Sequence, residues 1–134
     1  MTEVDAAAVV AEFYAASRAG DLDRVRAVLA PEATLIEPDS VPYGGVHRGP
    51  EAIIALAVDL FSKYYDFARN EVRYILSEGE NAIARVDVSG TTRTSGKPIA
   101  FSATECFVVR DGLITEIQPY HFDTAAVNEA LSTD

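Results

Sequence analysis

The hydrophobic period of this chain changes once, near its middle, and that change sets what it can fold into. As far as Tyr64 the apolar residues recur with the 3.6-residue period of helices; from Val72 onward they alternate with the two-residue period of strands. In the first half, Val9, Val10, Phe13, Tyr14 and Ser17 form one helical stripe, capped by Thr2 or Asp5 and ended by Gly20. Asp21 caps a second, short helix carrying Leu22, Val25, Val28 and Leu29, and Pro31 stops it. Residues 33–37 read as a short strand ending at Pro38. Residues 38–49 read as a loop whose turns come from Pro42, Gly44 and Gly45. A third helix opens at Gly49-Pro50-Glu51 and carries Ile53, Ile54, Ala57, Leu60, Phe61 and Tyr64.

The second half holds four alternating sets. They are Val72, Tyr74 and Leu76; Ala82, Ala84, Val86 and Val88; Phe101, Ala103, Glu105, Phe107 and Val109; and Leu113, Thr115 and Ile117. Glu78-Gly79-Glu80-Asn81 and Arg110-Asp111-Gly112 have the chemistry of tight hairpin turns, and residues 94–98 that of a looser connection. Asp123 or Thr124 caps a last short helix carrying Val127 and Leu131. The fold this predicts is α+β, a single domain over residues 1–134. A cone-shaped, curved antiparallel sheet packs on three N-terminal helices, with a short C-terminal helix. Helices laid on the concave side of such a sheet enclose an apolar pocket.

Composition removes several function classes. With 21 acidic residues against 11 basic ones the net charge is -10, which argues against binding a phosphate backbone. No apolar run approaches the roughly 20 residues of a membrane span. The acidic N-terminus lacks the basic start of a secretory signal, so a cytoplasmic location is expected. The lone Cys106 cannot form an internal disulfide and reads as a small apolar strand residue. There is no GxGxxG, Walker-type or Gly-x-Ser-x-Gly motif, and no cofactor is expected.

Glu105 is the most informative position. Its parity places it on the apolar face with Phe101, Ala103, Phe107 and Val109. A carboxylate is costly to bury as an ion, so its pKa should rise and it can sit protonated as a hydrogen-bond donor. Glu37 ends the first strand, where an apolar rim makes a carboxylate a candidate general base, with Asp39 two residues on as its competitor. Tyr14 is either core packing or a phenolic donor to the pocket, and Tyr43 in the glycine-rich loop can line it. The two histidines, His47 and His121, are candidate proton shuttles. They lack ligand-like spacing, so no metal site is expected. Phe13, Phe61 and Ile117 complete the predicted pocket lining, beside Phe101 and Phe107.

Several segments also carry a family resemblance. Phe13-Tyr14 followed by Ala19-Gly20-Asp21-Leu22-Asp23 is one. Ala33-Thr34-Leu35-Ile36-Glu37-Pro38 is another. The others are Gly44-Gly45-Val46-His47-Arg48-Gly49-Pro50-Glu51-Ala52-Ile53 and Val109-Arg110-Asp111-Gly112-Leu113-Ile114. In these the chain resembles the nuclear-transport-factor-2-like superfamily, in particular ketosteroid isomerases and SnoaL-like polyketide cyclases. The resemblance implies that the isomerase base falls on Glu37 and the protonated acid of the oxyanion hole on Glu105. The isomerases' first-helix tyrosine falls on Phe13. Tyr14 is one residue later, about 100° around the helix, which leaves its reach into the pocket open. Both carboxylates are one methylene longer than in the isomerases, so a true steroid isomerase is not expected.

Two functions follow. One is a cofactor-independent acid–base enzyme, an isomerase, cyclase or epoxide-opening enzyme, with Glu37, Glu105 and Tyr14 acting on a small apolar substrate. The other is a small-ligand-binding or dimerising module of the same fold without catalysis. The resemblance also implies a homodimer through the outer sheet face, which apolar residues such as Ile83 and Ile99 would support.

Overall fold

A computed structural model describes residues 5–134. Thr2, one of the two candidate caps, lies outside the described residues. Helix α1, Ala6–Ala19, starts where the Asp5 carboxylate accepts the Ala7 amide, and ends at Gly20 with φ 67°. Helix α2, Leu22–Ala27, is capped by Asp21 and stops at Val28. Strand β1, Leu29–Glu37, begins earlier than its sequence pattern suggests. Leu29 therefore lies in the strand rather than in α2, and Pro31 sits inside β1 instead of ending the helix. The expected loop is also shorter, because Gly45–Arg48 forms strand β2 as an antiparallel partner of β1. Helix α3, Pro50–Asp59, has Pro50 in its first turn and runs into a π-helical turn, Leu60–Tyr64. The wider turn breaks the 3.6 period, so Phe61 is exposed rather than part of the buried stripe.

The rest is sheet: β3 (Tyr65–Glu78), β4 (Asn81–Thr92), β5 (Pro98–Arg110) and β6 (Leu113–His121), followed by helix α4 (Thr124–Leu131). The six strands run in the order β2-β1-β6-β5-β4-β3. The sheet is mixed rather than wholly antiparallel, because β1 pairs with β6 in parallel. Two-residue turns join β3 to β4 and β5 to β6. Asp111 and Gly112 take φ of 53° and 77° in the second, as a hairpin of Asp-Gly type requires.

Bulges bend the sheet and reset which residues face inward. In β3 the register slips at Ala68 and again at Arg73, so Phe67, Asn70, Val72 and Ile75 turn inward while Tyr74 and Leu76 turn out. The expected set Val72, Tyr74 and Leu76 is therefore split. In β6 a slip at Thr115 brings Ile114 into the core beside the expected Ile117, and leaves Leu113 and Thr115 half-buried. Strands β4 and β5 keep their alternation along the inner face, and Ile99 lies with Phe101 on that face rather than outside. Gly90 passes directly under the first β3 bulge, where a Cβ would lie 2.1 Å from the Asp66 carbonyl.

One junction in the sheet is open. The paired positions of β1 and β6 end at Leu35 and Ile117, although both strands continue. The next inward residue of β6 is Pro119. The Phe122 amide donates to Ser102 on the β5 side. Alternation then turns the nitrogen of Pro119 toward β1, and it has no hydrogen to give. Helix α4 closes that end of the cone. Its last carbonyls accept from the hydroxyls of Thr92 at the end of β4 and of Thr94 and Ser95 in the β4–β5 turn.

Candidate active site

Between α1, α3 and the concave face lies a cavity of about 170 Å³, lined by residues that include Phe13, Tyr14, Glu37, Tyr43, Phe61, Phe101, Glu105, Ile117 and His121. An engineered apolar cavity of about 150 Å³ holds a benzene molecule, so the space admits at least one ring. Nine of the twelve residues singled out from the sequence thus share one wall. The other three do not. Asp39 is exposed in the turn after Pro38. His47 Nε2 donates to the Tyr43 carbonyl at 3.0 Å, away from the cavity. Phe107 is fully buried behind the wall, its ring edge-on to Phe13 and Tyr14 at 5.8 Å each. That wedge lets two consecutive helix residues both face the cone.

Each polar group arrives by a local rule. Glu37 lies on the β1 face that buries Ala33 and Leu35, and is itself 5% exposed. Glu105 follows the unbroken alternation of β5. Tyr43 is turned in by a tight loop, in which a Cβ on Gly44 would lie 2.3 Å from the Pro38 carbonyl. Glu105 sits opposite Pro119 on β6, and Glu37 reaches the same row from the far side of β6. The two carboxyls are thus two strand spacings apart at the backbone, about 10 Å, with only a proline ring between them.

Their electrostatics differ. The Tyr14 hydroxyl donates to Glu105 Oε1, while Glu37 Oε2 is buried with no partner. Burial first, and then the nearby charge of Glu105, raise the pKa of Glu37 to about 8. Burial also pushes Glu105 upward, and the Tyr14 hydrogen bond opposes it. Two carboxyls in one apolar cavity do not readily ionise together. Of the two, Glu105 is the one with a donor, the Tyr14 hydroxyl, to hold a charge. Tyr14 itself is pushed above the usual tyrosine range, by burial and then by Glu105, so it stays a donor. Burial lowers the pKa of His121.

The sequence pattern missed Tyr65, Phe67, Asn70, Pro119 and Arg18, which also line the cavity. The alternation of Tyr65 and Phe67 around Asp66 was a strand signal, hidden by reading Tyr64 as helix. Cys106 is half-buried and free, and burial raises its thiol pKa, consistent with an inert packing residue. Among the described residues, no three of His, Cys, Asp and Glu come together as metal ligands. No helix among them is long and apolar enough to cross a membrane.

The SnoaL-like domain family matches residues 10–117, and the chain belongs to that family. Its structure is similar to that of a nuclear-transport-factor-2-like protein from Burkholderia xenovorans, with 26% identity, a TM-score of 0.86 and 95% of each chain covered. It is also similar to a candidate SnoaL-like polyketide cyclase from Jannaschia, at 19% identity and TM-score 0.81, covering 100% of this chain and 99% of that one. A third similar structure is TerC co-crystallised with polyporic acid, at 18% identity and TM-score 0.79, covering 94% and 97%. The last two identities establish a shared fold. No curated protein sequence matches the chain.

Proposed function

We propose that this SnoaL-like chain is a cofactor-independent acid–base enzyme of isomerase, cyclase or epoxide-opening type, acting on a small apolar molecule with a carbonyl or hydroxyl group. The observation that carries this reading is one apolar cavity holding two carboxyls in unlike states, Glu105 bonded to Tyr14 and Glu37 unpartnered. The roles that fit these surroundings are the reverse of those the isomerase resemblance implies. Glu105, ionised with the help of Tyr14, takes a proton from the carbon beside a substrate carbonyl. The electron pair moves to the carbonyl oxygen, and neutral Glu37 donates a hydrogen bond or proton to it. Return of the proton elsewhere gives isomerisation; attack of the enol carbon on a second carbonyl gives ring closure. With an epoxide, Glu37 protonates the leaving oxygen while Glu105 activates water.

A bicyclic ketone such as a tetralone tests this directly, through exchange of its α-protons for deuterium followed by NMR. Wild-type protein should accelerate exchange over buffer. Glu105→Gln and Glu37→Gln should each reduce the acceleration by about 10²–10⁴ without loss of stability. Full acceleration in both variants would leave the module reading, in which the cone binds ligands without chemistry.

A homodimer through the outer sheet face belongs to the same proposal. Leu76 and Ile83 are paired neighbours on that face. They are exposed along with Tyr74 and Tyr120, and such an apolar surface favours a partner.

A further inference from the structure

Deep in the cone most polar groups hold one another. Tyr14 donates to Glu105, and the Tyr43 hydroxyl lies 2.7 Å from that of Tyr65 and 3.3 Å from His121 Nε2. The mouth of the cavity is different. A surface groove at the C-terminal end of α1 shares Ser17, Arg18, Phe61, Phe67 and Asn70 with the cavity and runs into it.

Among the described residues, Arg18 is the only Lys or Arg in the cavity lining, and it takes part in no ion pair. Its Nη2 donates to the Asn70 carbonyl at 3.1 Å, which steadies the guanidinium and leaves most of its N–H groups free. The Asn70 carboxamide, turned inward from β3, brings two more N–H donors to the same opening. The other arginine of the groove, Arg93, is committed. Its Nε donates to the Phe61 and Tyr65 carbonyls at 2.7 and 3.0 Å, and its Nη2 faces Asp66 at 3.9 Å.

Position ties the Arg18 charge to the reacting groups. Arg18 follows Tyr14 by one helical turn, so the two share a face of α1, with Arg18 rooted about 6 Å nearer the mouth. Its charge reaches the Tyr14 hydroxyl. Burial and then Glu105 raise the pKa of that group, and Arg18 opposes them. A cation in a last turn also suits the helix dipole, but the dipole does not require it to line a cavity. The chain as a whole carries a net charge of -10, so its field repels anions over most of the surface. A guanidinium without a carboxylate at this opening is the local exception.

We infer that Arg18, with Asn70, is a carboxylate-recognition site at the mouth of the cone, and that the substrate is a ring-bearing keto or hydroxy acid. The apolar ring enters the cavity, the carbonyl or hydroxyl reaches Glu37 and Glu105, and the carboxylate stays at the mouth in the guanidinium fork. A planar fork matches a carboxylate through two parallel hydrogen bonds. A phosphate dianion would call for a second cation, and Arg93 is taken by Asp66. Arg18 then selects the substrate and sets which end of it enters first. The inference rests on the proposal above that the cavity takes a small apolar substrate.

The test uses para-acetylbenzoate and its methyl ester, which share a ring and a methyl ketone and differ in charge. An NMR titration of ¹⁵N-labelled protein reads both affinities and follows the Arg18 Nε signal. Wild-type protein should bind the acid about tenfold more tightly than the ester, the effect of one charge-assisted pair. Added salt should narrow that preference. Arg18→Gln should remove it, and Arg18→Lys should restore part of it. The Arg18 Nε signal should shift with the acid and stay put with the ester. Acetate, which has the charge without the ring, should not displace the acid at equal concentration. Equal affinities in wild type, a preference that survives Arg18→Gln, a stationary Nε signal or displacement by acetate overturns the carboxylate site alone. Failure of both molecules to bind overturns the cavity reading with it.

Discussion

Glu37→Gln should make the protein more stable at neutral and alkaline pH, by an amount set by where the carboxyl sits. Its pKa is about 4.5 in the unfolded chain and about 8 in the fold. Below pH 4.5 both states hold the proton, and a neutral Glu and a Gln are nearly the same shape, so wild type and variant should match. Between those values the unfolded chain gives up a proton that the folded chain keeps. Each pH unit then costs wild type about 1.4 kcal/mol that the variant does not lose. The difference should reach roughly 3 kcal/mol at pH 7 and level off near 5 kcal/mol above pH 8. Part of the interval comes from Glu105, so the gain includes relief of that repulsion. Urea unfolding of both proteins at steps from about pH 5 to pH 8.5 reads the difference directly. A difference that stays flat with pH would show that Glu37 ionises normally, and the argument from its unpartnered burial would fail.

Three further outcomes follow from the same geometry. Tyr14→Phe removes the donor that opposes the rise of Glu105, so the acidic limb of the exchange pH profile should move to higher pH; an unmoved limb would refute the pairing. Gly90→Ala drives a Cβ against the Asp66 carbonyl and should cost about 1–3 kcal/mol or more, seen as a lower melting temperature, whereas an unchanged value would count against the close strand approach. Light scattering should give a dimer mass for wild type and a monomer mass for Leu76→Glu with unchanged circular dichroism; a wild-type monomer at micromolar concentration would remove the dimer.

What the sequence disclosed depended on whether a strand kept its period. Strand β5 runs without a slip from Ile99 to Val108, so counting by twos from Phe101 places Glu105 correctly on the inner face. The same count fails in β3 and β6, because one extra residue at Ala68, Arg73 or Thr115 exchanges the faces. Nothing in a single sequence marks those residues as bulges. The π-helical turn hid Tyr65 in the same way, by extending a helical stripe one residue short of it. Glu37 was legible as a strand end, but its isolation from every donor depends on side chains brought from β5, β6 and the loop. His121 was placed on the parity of Ile117, but its hydrogen-bond chain was not, since Tyr43 and Tyr65 are 22 residues apart and meet only in the folded cone.

The break beside Pro119 also bears on how such a cone can be adapted. Elsewhere in the sheet, moving two inward side chains apart means stretching a backbone ladder. Between Glu37 and Glu105 part of that ladder is already missing, because β1 and β6 stop pairing one row earlier. The width between the two carboxyls can therefore change with little loss of main-chain hydrogen bonding. In the enzyme proposed above, ligands of different breadth would be accommodated by this seam in the scaffold, with Glu37 and Glu105 keeping their own surroundings.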